Sequence, residues 1–356
     1  MEGVAMPLVP DVSRWIAVCA CAGLLGWLGN GTARGQDPAA APPPDPAAVL
    51  GDVQPVPVPL AAPPVVVDDM PARSYLGVIG ESIFGDAYAQ PSTWHPLSLG
   101  SFFTEGWDEP YVASPTGTGG AARGGWISAF DGVFFRAWFV DFAFAENYHH
   151  DGTSYVADYR IYIPLNRRFE VRLDVPFVTE VKGGKRNLYN EGFGDLTIAP
   201  RVLLSESRDF SQVLAMPIRT PTGSSLEGNG VMSLAPQYQF WANVGGPWIV
   251  RGALGVAVPF QSPSTRTSGF ASVGFGQYFA RADAAFFRDF FWYFVANVNT
   301  TLDNRGANET FFAVTPGVRF ALTKDHMWHF LAAVDVPTTG PKAFDYQPIF
   351  LLLKDY

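Results

Sequence analysis

Cysteine is almost missing from this 356-residue chain: the two present, Cys19 and Cys21, both lie before residue 30. If export removes that stretch, no thiol remains for a disulfide framework or thiol catalysis. Charge is sparse too, at 16% Asp, Glu, Lys and Arg, with a formal net charge of −9. With no basic run and no zinc-type ligand spacing, a nucleic-acid partner is excluded. The five histidines (His95, His149, His150, His326, His329) are scattered. Only His329 falls on a polar strand phase, so no Ser/His/acid set can be assembled, and no enzyme or cofactor is expected. Long apolar runs are also lacking. The one stretch of note is "WIAVCACAGLLGWL", 15–28, which is short for a membrane-spanning helix.

That run has its own explanation. Arg14 precedes it and "ARGQ" follows, with Ala33 and Gly35 at the −3 and −1 positions of a cleavage site. Residues 1–35 read as a secretory signal peptide. A lipoprotein reading would use Cys21, but that cysteine sits mid-run rather than at its end. Residues 36–74 are a Pro/Ala-rich linker, "DPAAAPPPDPAAVLGDVQPVPVPLAAPPVVV" at its heart, which cannot build a core. Residues 75–130 are irregular, rich in Gly, Ser, Pro and aromatics.

What is abundant is aromatic side chains (15%), Gly (36) and Pro (30). This mixture suits an all-β chain with many turns. From residue 131 to 356 apolar and polar residues alternate with the strand period of two. Twelve segments are expected: 133–146, 154–165, 169–178, 194–204, 210–220, 231–241, 248–259, 270–279, 291–301, 310–320, 327–336 and 347–356. In "RRFEVRLDVPFV", 167–178, Phe169, Val171, Leu173, Val175 and Phe177 take one face and Glu170, Arg172 and Asp174 the other. The connections alternate between a shorter set, such as 166–168 and 205–209, and a longer set, such as 179–192 and 221–230.

A soluble sandwich would alternate in the same way. The segments are long for one, their number is even, and aromatics cluster near strand ends on the apolar face (Tyr155, Phe169, Phe177, Phe240, Trp248, Trp292, Phe320, Trp328). These features point to a transmembrane antiparallel up-and-down β-barrel of about twelve strands, with short inner turns, longer outer loops and interfacial girdles. Hydrocarbon leaves no partner for an open sheet edge, so the sheet must close. Outer-membrane lipid is then the partner of the apolar face.

The polar phase supplies the candidate lumen-facing residues: Asp158, Arg160, Glu170, Arg172, Asp174, Asp195, Arg201, Arg219, Arg251, Arg319 and Asp335. They could form a charged conduit that orients a solute, or a ladder of paired charges that braces the wall. No catalytic, cofactor or metal site is expected. His149 and His150 beside Asp151 read as a solvated loop, because adjacent histidines diverge where metal ligands must converge. "GFG" (192–194) and "GNG" (228–230) are too sparse to cradle phosphate.

"NEGFGDLTIAPRVLLSESRDFSQVLAMPIRTPTGSS", 190–225, resembles the outer-membrane barrel family named for the MetA pathway of phenol degradation. Its Gly-Phe-Gly-Asp-Leu stretch is Gly192 to Leu196, its strand arginine is Arg201, and its Pro-Thr-Gly ending is Pro221 to Gly223. "LSLGSFFTEGWDEP", "WYFVANVNTTLDNRG" and "TGPKAFDYQ" are similar to planctomycete members of that group. The resemblance covers roughly residues 75–356. It implies an outer-membrane channel or transporter for small, hydrophobic or aromatic solutes, and it carries no catalytic residues with it.

The expected function is passive passage through a narrow charged lumen. A non-transporting structural or adhesion barrel and a soluble secreted β-sandwich binding protein are the alternatives. The segment 75–130 carries Phe102, Phe103, Trp107, Tyr111 and Trp126, which are costly to leave in water. It is expected to dock at the inner mouth or enter the lumen as a partial plug, with the 166–168 turn open to the inner side. Neither solute nor oligomeric state is legible.

Overall fold

The computed structural model describes residues 74–88, 93–148, 152–183, 188–224, 228–260, 265–279, 288–303, 309–340 and 342–356. The expected signal peptide, all but the last residue of the linker, and His149 and His150 lie outside them.

Fifteen strands follow one another: β1 (Ala137–Ala145), β2 (Thr153–Pro164), β3 (Phe169–Gly183), β4 (Leu188–Gly192), β5 (Thr197–Glu206), β6 (Phe210–Ala215), β7 (Ile218–Arg219), β8 (Ser233–Leu234), β9 (Gln237–Gly245), β10 (Trp248–Pro259), β11 (Ser268–Phe279), β12 (Arg288–Thr301), β13 (Thr310–Ala321), β14 (Trp328–Thr339) and β15 (Gln347–Asp355). Adjacent wall positions pair antiparallel in chain order, and β1 pairs with β15, so the sheet closes on itself. Three wall positions are split in two: β4 with β5, β6 with β7, and β8 with β9. The result is a closed antiparallel barrel of twelve strands. Two of the splits fall at Met216–Pro217 and Ala235–Pro236, where a proline has no N–H for the ladder. The third falls in the Gly-Phe-Gly-Asp-Leu stretch.

Period-two alternation sorts the side chains into two sets. Phe142, Leu214, Trp248, Val273, Phe275 and Phe350 point outward and are exposed. Near the turn end of the barrel the outward aromatics touch one another. Trp138 meets Trp328 edge-on at 5.2 Å, Trp248 meets Trp292 at 5.9 Å, and Lys354 Nζ sits 5.3 Å over Trp328. That band has the composition of an interfacial girdle.

The inward set is not simply polar. Phe139, Tyr162, Trp241, Phe291, Tyr293, Leu331 and Leu353 all point in and are essentially inaccessible. They share one apolar cluster with Ala121, Trp126, Ile127, Val133 and Phe135 of the preceding segment. In β12, "FFWYFVA" (290–296) is apolar on both faces because both are covered, one by the exterior medium and one by this segment.

Ahead of β1 the chain forms helix α1 (Tyr75–Phe84), whose first turn is capped by Ser74 Oγ accepting from Gly77 N at 3.1 Å. Residues 94–111 then cross the turn end of the barrel. A 3-10 turn follows at Thr118–Gly120, and residues 121–136 run through the interior before entering β1. The expected strand over 133–146 therefore begins only at Ala137. Residues 133–135 belong instead to the returning limb of this interior segment, all three buried, and Arg136 joins the wall ahead of β1, its carbonyl accepting from Tyr356 N at 3.1 Å.

Candidate functional site

The barrel interior is the candidate site, and the anchor for what fills it is Glu206, at the turn end of β5. It accepts from Trp94 Nε1 at 3.0 Å, Arg123 Nη1 at 2.9 Å and Arg167 Nη2 at 3.3 Å, and it bonds the Ser114 hydroxyl. Its backbone pairs with Leu97 in an isolated bridge. Burial pushes the Arg123 guanidinium below its ordinary range, against the raising effect of Glu206. Arg168 works on the same side of the mouth. Its guanidinium donates to the carbonyls of Glu105 (2.8 Å), Ser98 (3.2 Å), Ser101 (3.2 Å), Leu203 (3.2 Å) and Leu204 (2.9 Å). The 166–168 turn is therefore not open: Asn166, Arg167 and Arg168 are 0%, 3% and 0% exposed beneath residues 94–109. The sequence expectation was wrong here. Turn chemistry makes these residues look solvated, and only the fold brings the distant carbonyls to them.

From this anchor the segment climbs into the barrel. Trp126 stacks on Tyr293 at 5.0 Å, and Ile127 N donates to the Tyr293 hydroxyl at 3.1 Å. The tip is Ser128, at φ 58°. Its hydroxyl donates to both Asp335 oxygens, at 2.7 and 2.8 Å, and its carbonyl accepts from Asn297 Nδ2 at 2.9 Å. Thr315 donates to the same Asp335 carboxylate. On the way back, Asp131 accepts from Tyr162 OH at 2.6 Å and from Arg251 Nη1 at 3.1 Å. Arg251 also donates to the Arg123 carbonyl at 2.7 Å and lies 4.6 Å over Trp126. Arg201 pairs with Glu170, bonds the Asp131 carbonyl and donates to the Val133 carbonyl at 3.0 Å. Glu170 accepts from Phe135 N at 3.1 Å.

Every one of the twelve wall positions contributes at least one buried inward side chain or glycine at this level, from Phe139 in β1 to Leu353 in β15. The interior is closely filled there. Glycines allow the close fit. A Cβ on Gly132 would stand 2.2 Å from the Phe240 carbonyl carbon, and one on Gly124 2.8 Å from Arg319 Nη1.

The eleven sequence-derived candidates thus fall into different surroundings. Glu170, Arg201, Arg251 and Asp335 bind the interior segment, and Arg319 packs against Gly124. Asp158, Arg160, Arg172 and Asp174 stand closer to the loop end on the β2 and β3 wall. There Arg160 Nε donates to Asp174 at 3.1 Å and Arg172 Nη2 to the same carboxylate at 2.8 Å, while Asp141 faces Asp158 across the β1–β2 ladder. Asp195 and Arg219 hold the loop after β7. Asp195 accepts from Gly223 N at 2.9 Å and Asn229 N at 2.8 Å, and the Arg219 guanidinium lies 2.8 Å from the Asn229 side-chain amide. Residues that the strand alternation did not single out are Asp131, Ser128, Asp141, Arg123 and Glu206. Asp131 and Ser128 lie ahead of β1, where no period marks them. Glu206 is a strand-end residue whose partners are 39 to 112 positions away.

Among the described residues no group of three or more His, Cys, Asp or Glu is placed to hold a metal ion. No family model matches the chain, and no curated protein matches it. Solved structures do. An outer-membrane channel from Pseudomonas putida F1 superposes with a TM-score of 0.50 at 12% identity, over 63% of this chain and 96% of that one. The KdgM porin gives 0.40 at 10% identity, over 61% of this chain and 99% of the porin. The NanC porin gives 0.42 at 8% identity, over 62% and 99%. At such identities the shared property is the fold, that of the outer-membrane barrel.

Proposed function

We propose that the protein is an outer-membrane channel for small solutes whose lumen is closed, in the state described, by its own segment 121–136. The observation that carries this reading is the chemistry of the filling. The lumen is not packed by the wall's own side chains alone. A separate stretch of chain occupies it, held through buried polar contacts such as Asp131 with Arg251 and Ser128 with Asp335. Polar contacts of this kind can be exchanged for water when the segment moves, which an all-apolar filling cannot do at comparable cost. The resemblance of residues 190–225 to the family named for the MetA pathway of phenol degradation supports a small, hydrophobic or aromatic solute. So does the stacked pair Phe130 and Phe270, 5.4 Å apart on the β11 side of the interior. In this reading Asp158, Arg160, Arg172 and Asp174 orient the solute once the segment yields.

A second reading, a structural barrel that passes nothing, draws on the buried inward ring. Planar-bilayer recording separates the two. The chain lacking residues 36–135 is expected to conduct clearly more than the full chain while remaining heat-modifiable on gels. A liposome swelling panel with small aromatic and sugar solutes then reads the preference. Unchanged conductance would leave the structural reading standing.

A further inference from the structure

Helix α1 carries an apolar surface that none of the described residues covers. Its sequence, "YLGVIGESIF", sorts into rows four residues apart, which stack along one side of a helix. Val78 and Ser82 form the buried row, at 0% exposure each. Gly77 and Glu81 form a polar row. The two rows between them, Tyr75–Ile79–Ile83 and Leu76–Gly80–Phe84, hold no polar group except the tyrosine hydroxyl. Tyr75, Leu76 and Phe84 are 58%, 79% and 87% exposed.

Where the helix is fastened decides what it meets. Its last turn is held by Arg136, whose Nη1 donates to the carbonyls of Gly85 at 2.7 Å, Ser82 at 3.1 Å and Ile83 at 3.3 Å. Arg136 directly precedes β1. Ala137 and Phe139 point inward, so Arg136 shares the outward phase of Trp138. Tyr356 likewise continues the outward phase of Phe350 and Leu352, and the Arg136 guanidinium lies 5.3 Å over its ring. An arginine on the exterior face of the wall is only 5% exposed because α1 lies over it. The end of the helix is therefore on the outer side of the rim, at the level of the Trp138–Trp328 girdle, and its apolar rows continue the exterior apolar wall.

We infer that α1 is seated in the membrane interface at the turn end of the barrel, with Leu76, Ile83 and Phe84 among the lipid acyl chains and Glu81 toward water. A short helix with one wide apolar side and a single charge fits the headgroup–acyl boundary. Its role is to anchor the chain entering the barrel, so that residues 94–136 are tethered to the bilayer at one end and to β1 at the other. The inference rests on the barrel spanning a membrane, and the experiment reports that separately.

The test uses the full chain in lipid nanodiscs loaded with one copy each, with Cys19→Ser and Cys21→Ser removing the native thiols. An environment-sensitive dye is placed at Leu76→Cys, at Phe275→Cys on the exterior of β11, and at Thr104→Cys on the exposed mouth segment. Brominated lipids are expected to quench the dye at 76 and 275 strongly and to leave that at 104 unchanged, with iodide showing the reverse order. A dye at 275 that escapes bromolipid would remove the membrane placement itself. Quenching at 275 with a water-exposed dye at 76 overturns the helix inference. A dye at 76 shielded from iodide and bromolipid alike overturns it too, because protein would then cover the helix.

Discussion

Arg251 Nη1 lies 3.1 Å from Asp131 Oδ1, and the two side chains are 0% and 3% exposed. One belongs to the barrel wall and the other to the segment inside it. This ion pair couples the two directly, and removing one side leaves a buried charge unanswered. Asp131→Ala is expected to weaken the closed arrangement by roughly 3–5 kcal/mol. Single-channel recording should show frequent openings that the unaltered chain lacks. Pairing it with Arg251→Met, which removes the stranded charge, should restore part of the closed time. Equal conductance in all three proteins would count against the pair as a latch.

Tyr293 offers a finer probe. Its ring stacks on Trp126, and its hydroxyl accepts from the Ile127 amide at 3.1 Å. Tyr293→Phe keeps the stack and strands a buried N–H, at about 1–3 kcal/mol. Gly317→Ala is expected to act through the same ring, since a Cβ there would stand 2.4 Å from Tyr293 Cζ. Both variants should raise open probability with little change in the melting of the barrel, which circular dichroism can follow.

Glu206 holds several donors of the mouth segment at once. Glu206→Ala should release residues 94–123 from the turn end and expose Arg123 to trypsin. The unaltered protein should resist cleavage there, because Arg123 is 8% exposed and its guanidinium bonds Glu206 and the Ser207 and Arg208 carbonyls. Gel mobility before and after heating distinguishes a loosened mouth from a barrel that never folded. Resistance of the variant to trypsin would show that Arg168 alone suffices as an anchor.

The exterior wall makes the contrasting case. Leu173 points outward on β3, opposite Ile161 and Ile198. Leu173→Arg places a charge against hydrocarbon at roughly 2–4 kcal/mol near the midplane, and assembly into lipid vesicles should fail. Asp158→Asn, on the inward side of the neighbouring strand, should assemble normally. Glu170→Gln is not a mild change of that kind, because Glu170 is the buried partner of Arg201 and accepts from Phe135 N.

The sequence by itself determined the wall. In "FEVRLDV" the period of two assigns each residue a face, and a one-residue slip would turn Glu170, Arg172 and Asp174 toward the apolar medium. Local chemistry therefore suffices for strand positions, for their number, and for the exterior set that ends in Trp248 and Trp328. Tertiary structure decided what the inside of the barrel contains. Phe139, Tyr293 and Leu331 read as misplaced apolar residues on a polar face until Trp126, Ile127 and Phe135 arrive to cover them. Residues 121–136 show no strand period, because their side chains answer to partners on several strands around the barrel. Their partners, from Glu170 to Asp335, are tens to hundreds of positions away. Alternation reports only that a side chain points inward. Whether it meets water, a solute or another part of the chain depends on contacts that closure of the barrel creates.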